Sequence, residues 1–360
     1  MVAELMKIIV RYLTTEVLAA SGFVFAALMT LFALFDLINE LDSLGKGEYS
    51  FWRILFYVLL SVPGNLYELL PVAALIGTLV ALARLVESSE FTIMLVSGLS
   101  MRRIATYLML IGLLFTALTF VLGEIIAPAS DRYAEQMKLK ATNALVAQAF
   151  RSGLWVRDEH SFINVREVTP EGGLRDISVY RFDNQFRLQQ IYRAASGVFW
   201  HDNVWQLANI DETEFTASGI RVAHFPSSQW RSVLTPSIMN VLLLAPEKMA
   251  AIDLWAYVAH LHANHQPSKR YEMALWSKLI YPFAAPVMIL LALPFAYHRP
   301  RTGSVSARVF AGIMLGLGYH LFNRLFAYVG LLNDWPSLLS VAAPTVAFLV
   351  IGLILLYRLE

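Results

Sequence analysis

Apolar and polar positions divide the chain into three parts. Through residues 1–128 and 271–360, apolar runs reach membrane-spanning length, roughly 20 residues each. They are Val17–Phe35, Ile54–Ala83, Ile104–Gly123, Leu279–Tyr297, Val309–Gly330 and Trp335–Tyr357. Between them, in 129–270, the pattern changes. Ser161–Val168, Asp176–Arg181, Phe186–Arg193 and Val204–Ala208 are short and rich in β-branched and aromatic residues. Turn signals separate them at Glu171-Gly172-Gly173, Asp183-Asn184, Ser196-Gly197, His201-Asp202-Asn203 and Ser218-Gly219. The pattern predicts a polytopic α-helical membrane protein. Six transmembrane helices fall as three plus three around an inserted β domain of sandwich or jelly-roll type. Asp131–Phe150 and Asp253–His265 read as helical connectors. Pro63 and Pro71 in the second run predict a broken or kinked helix.

Composition sharpens this picture. Hydrophobic residues make up 57% of the chain and charged residues only 15%, against about 25% charged in soluble domains. Of the 55 charged residues, 29 lie between Ala129 and Arg270, so the flanks are more apolar still. A net charge of +1 gives no electrostatic footprint for nucleic acid. The absence of cysteine excludes disulfides, thiol catalysis and Cys-ligated metals. The first run follows only Lys7 and Arg11 and lacks a small-residue cleavage site, so it reads as a retained helix. With the N-terminus inside, Lys7, Arg11, Arg84, Arg102, Arg103, Arg299, Arg301, Arg308 and Arg358 are cytoplasmic, against Lys46 and Arg53 in the short outer loops. That bias places both termini inside and the insert outside.

Catalytic motifs are missing: the sequence has no phosphate-cradling Gly-rich loop, no H-E-x-x-H and no G-x-S-x-G. His260, His262 and His265 are spread around a helix axis, unlike a helical zinc pair. Glu68, Glu124 and His320 sit on three different spans and match no catalytic arrangement. The chain is therefore expected to be non-catalytic and to need no cofactor of its own. The loop between spans two and three is Glu87–Gly98. Ser88 or Ser89 can cap a short helix there and Gly98 can end it. Phe91, Met94 and Leu95 share one face, suited either to the membrane surface or to a groove on a partner. Asp36, Glu40 and Asp42 end the first span as interfacial charges. His320 and Arg324, four apart, share a face of span five. The arginine either snorkels outward or meets a cavity, a partner helix or an anion.

The order of parts resembles the LptF/LptG permeases, membrane subunits of the ABC transporter that extracts lipopolysaccharide from the Gram-negative inner membrane. Ser89-Glu90-Phe91-Thr92-Ile93-Met94-Leu95-Val96-Ser97-Gly98 is similar to that family's coupling-helix signature. Four further stretches carry the likeness: Leu60-Ser61-Val62-Pro63, Gly123-Glu124-Ile125-Ile126-Ala127-Pro128, Gly153-Leu154-Trp155-Val156-Arg157-Asp158, and the run from Arg270-Tyr271-Glu272 to Trp276-Ser277-Lys278. These favour the LptG branch, so the resemblance implies an LptF-like permease as partner. It also implies an LptB-like ATPase dimer that holds ATP and Mg, an LptC-like single-span protein and an LptA-like periplasmic bridge. Glu90, Phe91, Met94 and Leu95 would engage the ATPase. Spans one and five would line lateral gates, with Phe32, Phe35, Asp36, His320, Phe322 and Arg324 facing lipopolysaccharide. The β insert, a jelly roll in that family, would be periplasmic. Asp36–Ser43 lacks the basic residues of enterobacterial relatives, so Arg324 with Lys46 or Arg53, or bridging divalent cations, would meet the phosphates. The alternative is a mechanotransmission permease that couples a partner ATPase to periplasmic events without passing lipid.

Overall fold

The computed structural model describes residues 2–142, 153–158, 161–169, 172–201, 204–216, 219–232, 234, 245–263, 266–297 and 305–358. Six helical segments are long and apolar enough to cross a membrane. Span one is α1, Val2–Leu41, and span two is α2, Phe51–Glu87. The short helix α3, Glu90–Val96, leads into span three. That span comprises α4, Met101–Val121, a π-turn at Leu122–Ile126, and α5, Ala127–Thr142. After the insert come α6, Ala251–Ala263, and α7, Lys269–Ile280. A 3-10 turn at Tyr281–Phe283 joins α7 to α8, Ala284–Tyr297, and together these three make span four. Spans five and six are α9, Val305–Leu332, and α10, Ser337–Tyr357.

Spans two and four are mostly buried, whereas spans one and five leave most of their surface open. Leu13, Val17 and Ala20 form a buried apolar stripe of α1, while Phe23, Leu31, Leu34 and Ile38 face outward. Small residues let the helices approach, as expected where packing rather than water drives association. A Cβ on Gly77 would collide with Ser21 of span one. A Cβ on Gly312 would meet Leu79 at 2.6 Å, and one on Gly316 would meet Val72 at 2.9 Å. With Ile76 also 3.4 Å from the Gly312 position, Gly312 sits by Ile76 and Gly316 by Val72, one turn apart on each helix, which fixes the antiparallel register of spans two and five.

Contrary to the sequence expectation, α2 runs as one helix through Pro63 and Pro71. Pro71 cannot donate to the Tyr67 carbonyl and loosens that turn. The hydroxyl of Tyr281 donates to the neighbouring Glu68 carbonyl at 2.5 Å. The real interruption is in span four, at Tyr281-Pro282-Phe283. There Thr116 of span three donates to the Pro282 carbonyl at 3.1 Å.

The insert forms one antiparallel sheet of six strands paired in sequence order. They are β1, Leu154–Asp158; β2, Ser161–Val168; β3, Leu174–Phe182; β4, Leu188–His201; β5, Val204–Thr216; and β6, Gly219–Arg231. Short hairpins let consecutive strands pair, so among the described residues the domain is a meander without a facing second sheet. Its core holds Ile163, Val165, Leu174, Ile177, Leu207 and the buried Trp205. The Trp205 indole donates to the Leu234 carbonyl at 2.6 Å. Asp183 builds the expected turn by accepting the backbone N–H groups of Gln185 and Arg187, both at 2.8 Å. These bonds hold its carboxyl below the usual carboxylate range.

The expected turn at Ser196-Gly197 is instead inside β4, where Gly197 pairs with Leu174 and Leu207. A Cβ there would lie 2.9 Å from the side chains of Ile177 and Leu207. The glycine thus makes room for the core rather than turning the chain. Glu171, Asp202, Asn203, Ser218, His265, Arg299, Arg301 and the end of the first connector, 143–150, lie outside the described residues.

Candidate functional site

The helix α3 closes one end of the bundle. Its N-cap, Ser89, adopts a left-handed φ of 64° and makes no side-chain cap, so neither serine plays the expected capping role. Ser88 instead donates to the Leu85 carbonyl at 3.3 Å. Gly98 ends the segment at φ +95°, a conformation in which a Cβ would be strained. Phe91, Met94 and Leu95 do share a face, and that face is packed against the bundle. Phe91 is 1% exposed and lies 5.7 Å from the ring of Tyr297, the last residue of span four. The opposite face carries Ile93, 63% exposed, and Val96, 84% exposed. Glu90 is half-buried and accepts a 2.8 Å hydrogen bond from the Tyr12 hydroxyl of span one. Sequence reasoning missed Tyr12, Ile93 and Val96. A short helix apolar on both sides gives periodicity no way to tell the inner face from the outer.

At the other end of span one, two of the three acidic residues, Asp36 and Glu40, are engaged within the chain. Asn65 donates to Asp36 at 2.5 Å. Glu40 is buried, accepting Lys138 of α5 at 2.7 Å and the Tyr49 hydroxyl at 3.2 Å. Burial and the Glu40 charge push the Tyr49 hydroxyl well above its ordinary pKa. Asp36 and Glu40 are therefore not simply interfacial, while Asp42 is exposed. Phe35 is exposed and Phe32 half-buried on the same helix. Lys46 is exposed on the following turn. Arg53 is committed to Glu48, at 2.6 Å to its carbonyl and 3.0 Å to its carboxylate. The two line a small pocket with Tyr133, Gln136, Met137 and Lys140. Lys138 and Lys140 of α5, a stretch that the sequence reads as a connector, add positive charge at this end of span one, while Arg132 of the same helix pairs with Asp253 at 3.2 Å.

A second group gathers on spans two, four and five. The one-turn register that sets Gly312 and Gly316 against α2 brings His320 level with Glu68. The His320 ring is 6.4 Å from that of Tyr281, whose hydroxyl binds the Glu68 backbone. Glu68 and Arg324 are both exposed, and Arg324 lies within electrostatic reach of the Glu68 carboxylate. Phe322 is exposed, with its ring 6.0 Å from Phe326 and 6.3 Å from Phe348. The sequence-predicted residues therefore fall into three places: α3, the Leu41 end of span one, and span five, where Phe322 lies on the opposite side of the helix from His320 and Arg324. A carboxylate, an imidazole and a guanidinium on an otherwise apolar face can bind an amphiphile's polar group. Among the described residues, no nucleophile with a base and an orienting partner accompanies them.

The third polar group is buried. Lys278 of span four donates to the Gly123 carbonyl at 2.9 Å and sits 4.9 Å over the Tyr67 ring. Glu124 accepts the Ala251 N–H at the start of α6 at 2.7 Å. At the far end of α6, Glu272 collects His262 at 2.9 Å, Ser268 at 2.5 Å and Ser337 of span six at 3.0 Å. Ser268 and Glu272 both contact the same histidine nitrogen, Nε2, so this trio is not a proton relay. Alongside, burial and the neighbouring Tyr271 raise the pKa of the Tyr257 hydroxyl.

Comparison with known proteins covers nearly the whole chain. Residues 11–358 match the family described as lipopolysaccharide export system permease LptF/LptG. The chain is 29% identical over 344 residues to the lipopolysaccharide export system permease protein LptG of Haemophilus influenzae, covering 94% of this chain and 95% of that protein. It is 31% identical over 339 residues to the protein of the same name from Escherichia coli K12, covering 92% and 94%.

Proposed function

Because the chain belongs to the lipopolysaccharide export system permease LptF/LptG family, we propose that it is a permease subunit that extracts lipopolysaccharide from the inner membrane for delivery to the outer membrane. The observation that carries this reading is the match across both halves of the bundle and the insert together. The physical demand is plain. Each methylene moved from bilayer to water costs about 0.8 kcal/mol, so a single chain of a dozen methylenes costs about 10 kcal/mol. Extraction requires an apolar path and an energy source.

The open apolar faces of spans one and five suit the first demand, completed by an LptF-like permease. Phe32, Phe35 and Phe322 would contact acyl chains. Asp36, Lys46, Arg53, His320 and Arg324 would meet the headgroup, with Arg324 the best placed cation on an apolar face. ATP and Mg bound by an LptB-like dimer would supply the second. That dimer would press on Glu90 and on the outward Ile93 and Val96, while Phe91, Met94 and Leu95 carry the push into the bundle. With α3 cytoplasmic, both termini are inside and the sheet is periplasmic, where LptC-like and LptA-like proteins would receive the lipid.

Affinity purification in mild detergent tests the reading. Recovery of a second six-span permease and a P-loop ATPase is expected, with Glu90→Lys losing the ATPase and keeping the permease. A folded chain that never brings down an ATPase under several detergents would sink it. A complex that hydrolyses ATP yet releases no lipopolysaccharide from proteoliposomes would instead favour mechanotransmission.

A further inference from the structure

Two motifs that the transport reading leaves without a role, Gly123–Pro128 and Trp276-Ser277-Lys278, meet at one point. Around Leu122–Ile126 the chain makes a π-turn, with the Ala127 N–H bonded to the Leu122 carbonyl five residues back. One residue on, the Gly123 carbonyl would take the N–H of residue 128, and Pro128 has none. The ammonium of Lys278 fills that vacancy at 2.9 Å. Lys278 is only 4% exposed, and a cation so buried persists only with partners. Its partners here are the carbonyl, the Tyr67 ring and the nearby carboxylates of Glu124, Asp131 and Glu68.

The next residue in the π-turn carries the contact onward. Glu124 accepts the Ala251 N–H at 2.7 Å, one of the orphan donors at the start of α6, where a carboxylate also complements the helix dipole. Arg132, just beyond Pro128, reaches Asp253 in the first turn of α6 at 3.2 Å. Past the other end of α6, Gln266 donates to the Arg157 carbonyl of β1 at 3.2 Å. An unbroken series of contacts thus runs from span four, across the π-turn of span three, along α6 and into the sheet.

We propose that Lys278 and Glu124 are positioning residues of a mechanical joint that passes movement between spans three and four to the β insert. The inference rests on the transport reading, in which the moving bundle must hand lipid to the periplasmic side. A π-turn suits a joint because it interrupts the regular α-helical hydrogen-bond ladder, and such bulges are frequent at functional sites.

The test reconstitutes the complete complex in proteoliposomes and measures lipopolysaccharide delivered to the soluble periplasmic bridge protein per ATP hydrolysed. Lys278→Met and Glu124→Ala should each hydrolyse ATP but lower that ratio roughly fivefold or more, the lower range of measured coupling between sites. Lys278→Arg and Glu124→Gln, which keep a donor and an acceptor, should hold it near the parent value. A role in stability alone would reduce the yield of complex and leave the ratio unchanged, and that result overturns the proposal. Should Lys278→Met fail to assemble, hydrogen exchange decides. In the full chain, exchange at 251–266 should speed up in Glu124→Ala, and parental protection there refutes the joint. A parent complex that delivers no lipid at all would reject the transport reading and leave the exchange result standing on its own.

Discussion

Removing the ammonium of Lys138 exposes how the Leu41 end of span one is held. Lys138 lies 2.7 Å from Glu40, and their side chains are 28% and 10% exposed. The carboxylate's other partner is the Tyr49 hydroxyl at 3.2 Å. Deleting one member of a buried pair costs about 3–5 kcal/mol, because the remaining charge stays desolvated. Lys138 is more than a quarter open to solvent, so screening reduces this to about 2–3 kcal/mol for Lys138→Met. In the double variant with Glu40→Gln the amide still accepts the tyrosine hydroxyl and no charge is stranded, so the loss should fall to about 1 kcal/mol. Equilibrium unfolding of the purified chain in mixed micelles, run as a double-mutant cycle, measures the difference. If the double variant is destabilised by the sum of the two single changes, the two residues act independently and the argument from stranded charge is wrong.

Four further outcomes follow from the structure. Ile93→Glu combined with Val96→Glu should abolish recovery of the ATPase while altering the chain's own stability by less than about 0.5 kcal/mol. Phe91→Ala should cost about 3–5 kcal/mol through the cavity it leaves, and thermal unfolding separates the two effects. Trp205→Phe strands the Leu234 carbonyl and should loosen the sheet by about 1–3 kcal/mol, read as faster proteolysis of the insert with the bundle intact. Arg324→Ala should slow lipopolysaccharide release and Arg324→Lys should restore part of it. Equal transport by both variants and the parent would remove Arg324 from the substrate path.

The spans were legible because each is a long apolar run, a signal that needs no partner to interpret. Strands β2, β3 and β5 were legible at their cores, where one face is buried and alternation survives. Strand β6 was not, since nearly every position from Gly219 to Arg231 is exposed and leaves no two-residue pattern. Gly197 misled for a different reason: glycine marks both a turn and a tight crossing, and only the packed neighbours distinguish them. At the candidate sites, the sequence found the face shared by Phe91, Met94 and Leu95 but not the side on which the bundle lies. The pairing of Lys278 with Gly123 could not be read at all. It depends on a donor missing at Pro128 and on the rotation of a span that lies about 150 residues further along the chain.

The burial of span two against span four also sets a timetable for synthesis. Leu75, Leu79 and Leu82 are completely enclosed in the finished bundle, and the cluster they join is completed by Met288, Ile289 and Leu293 of α8. Between the end of α2 and the end of α8 the ribosome must add roughly 200 residues, which at 5–20 residues per second takes on the order of 10–40 s. For that interval the first three spans sit in the bilayer with their central helix packed on span one but lacking span four, while the insert folds. Half-made chains of this protein should therefore be natural clients for whatever chaperones unfinished helices within the membrane, and interrupting translation after the insert should leave span two open to cross-linking by lipid-phase probes.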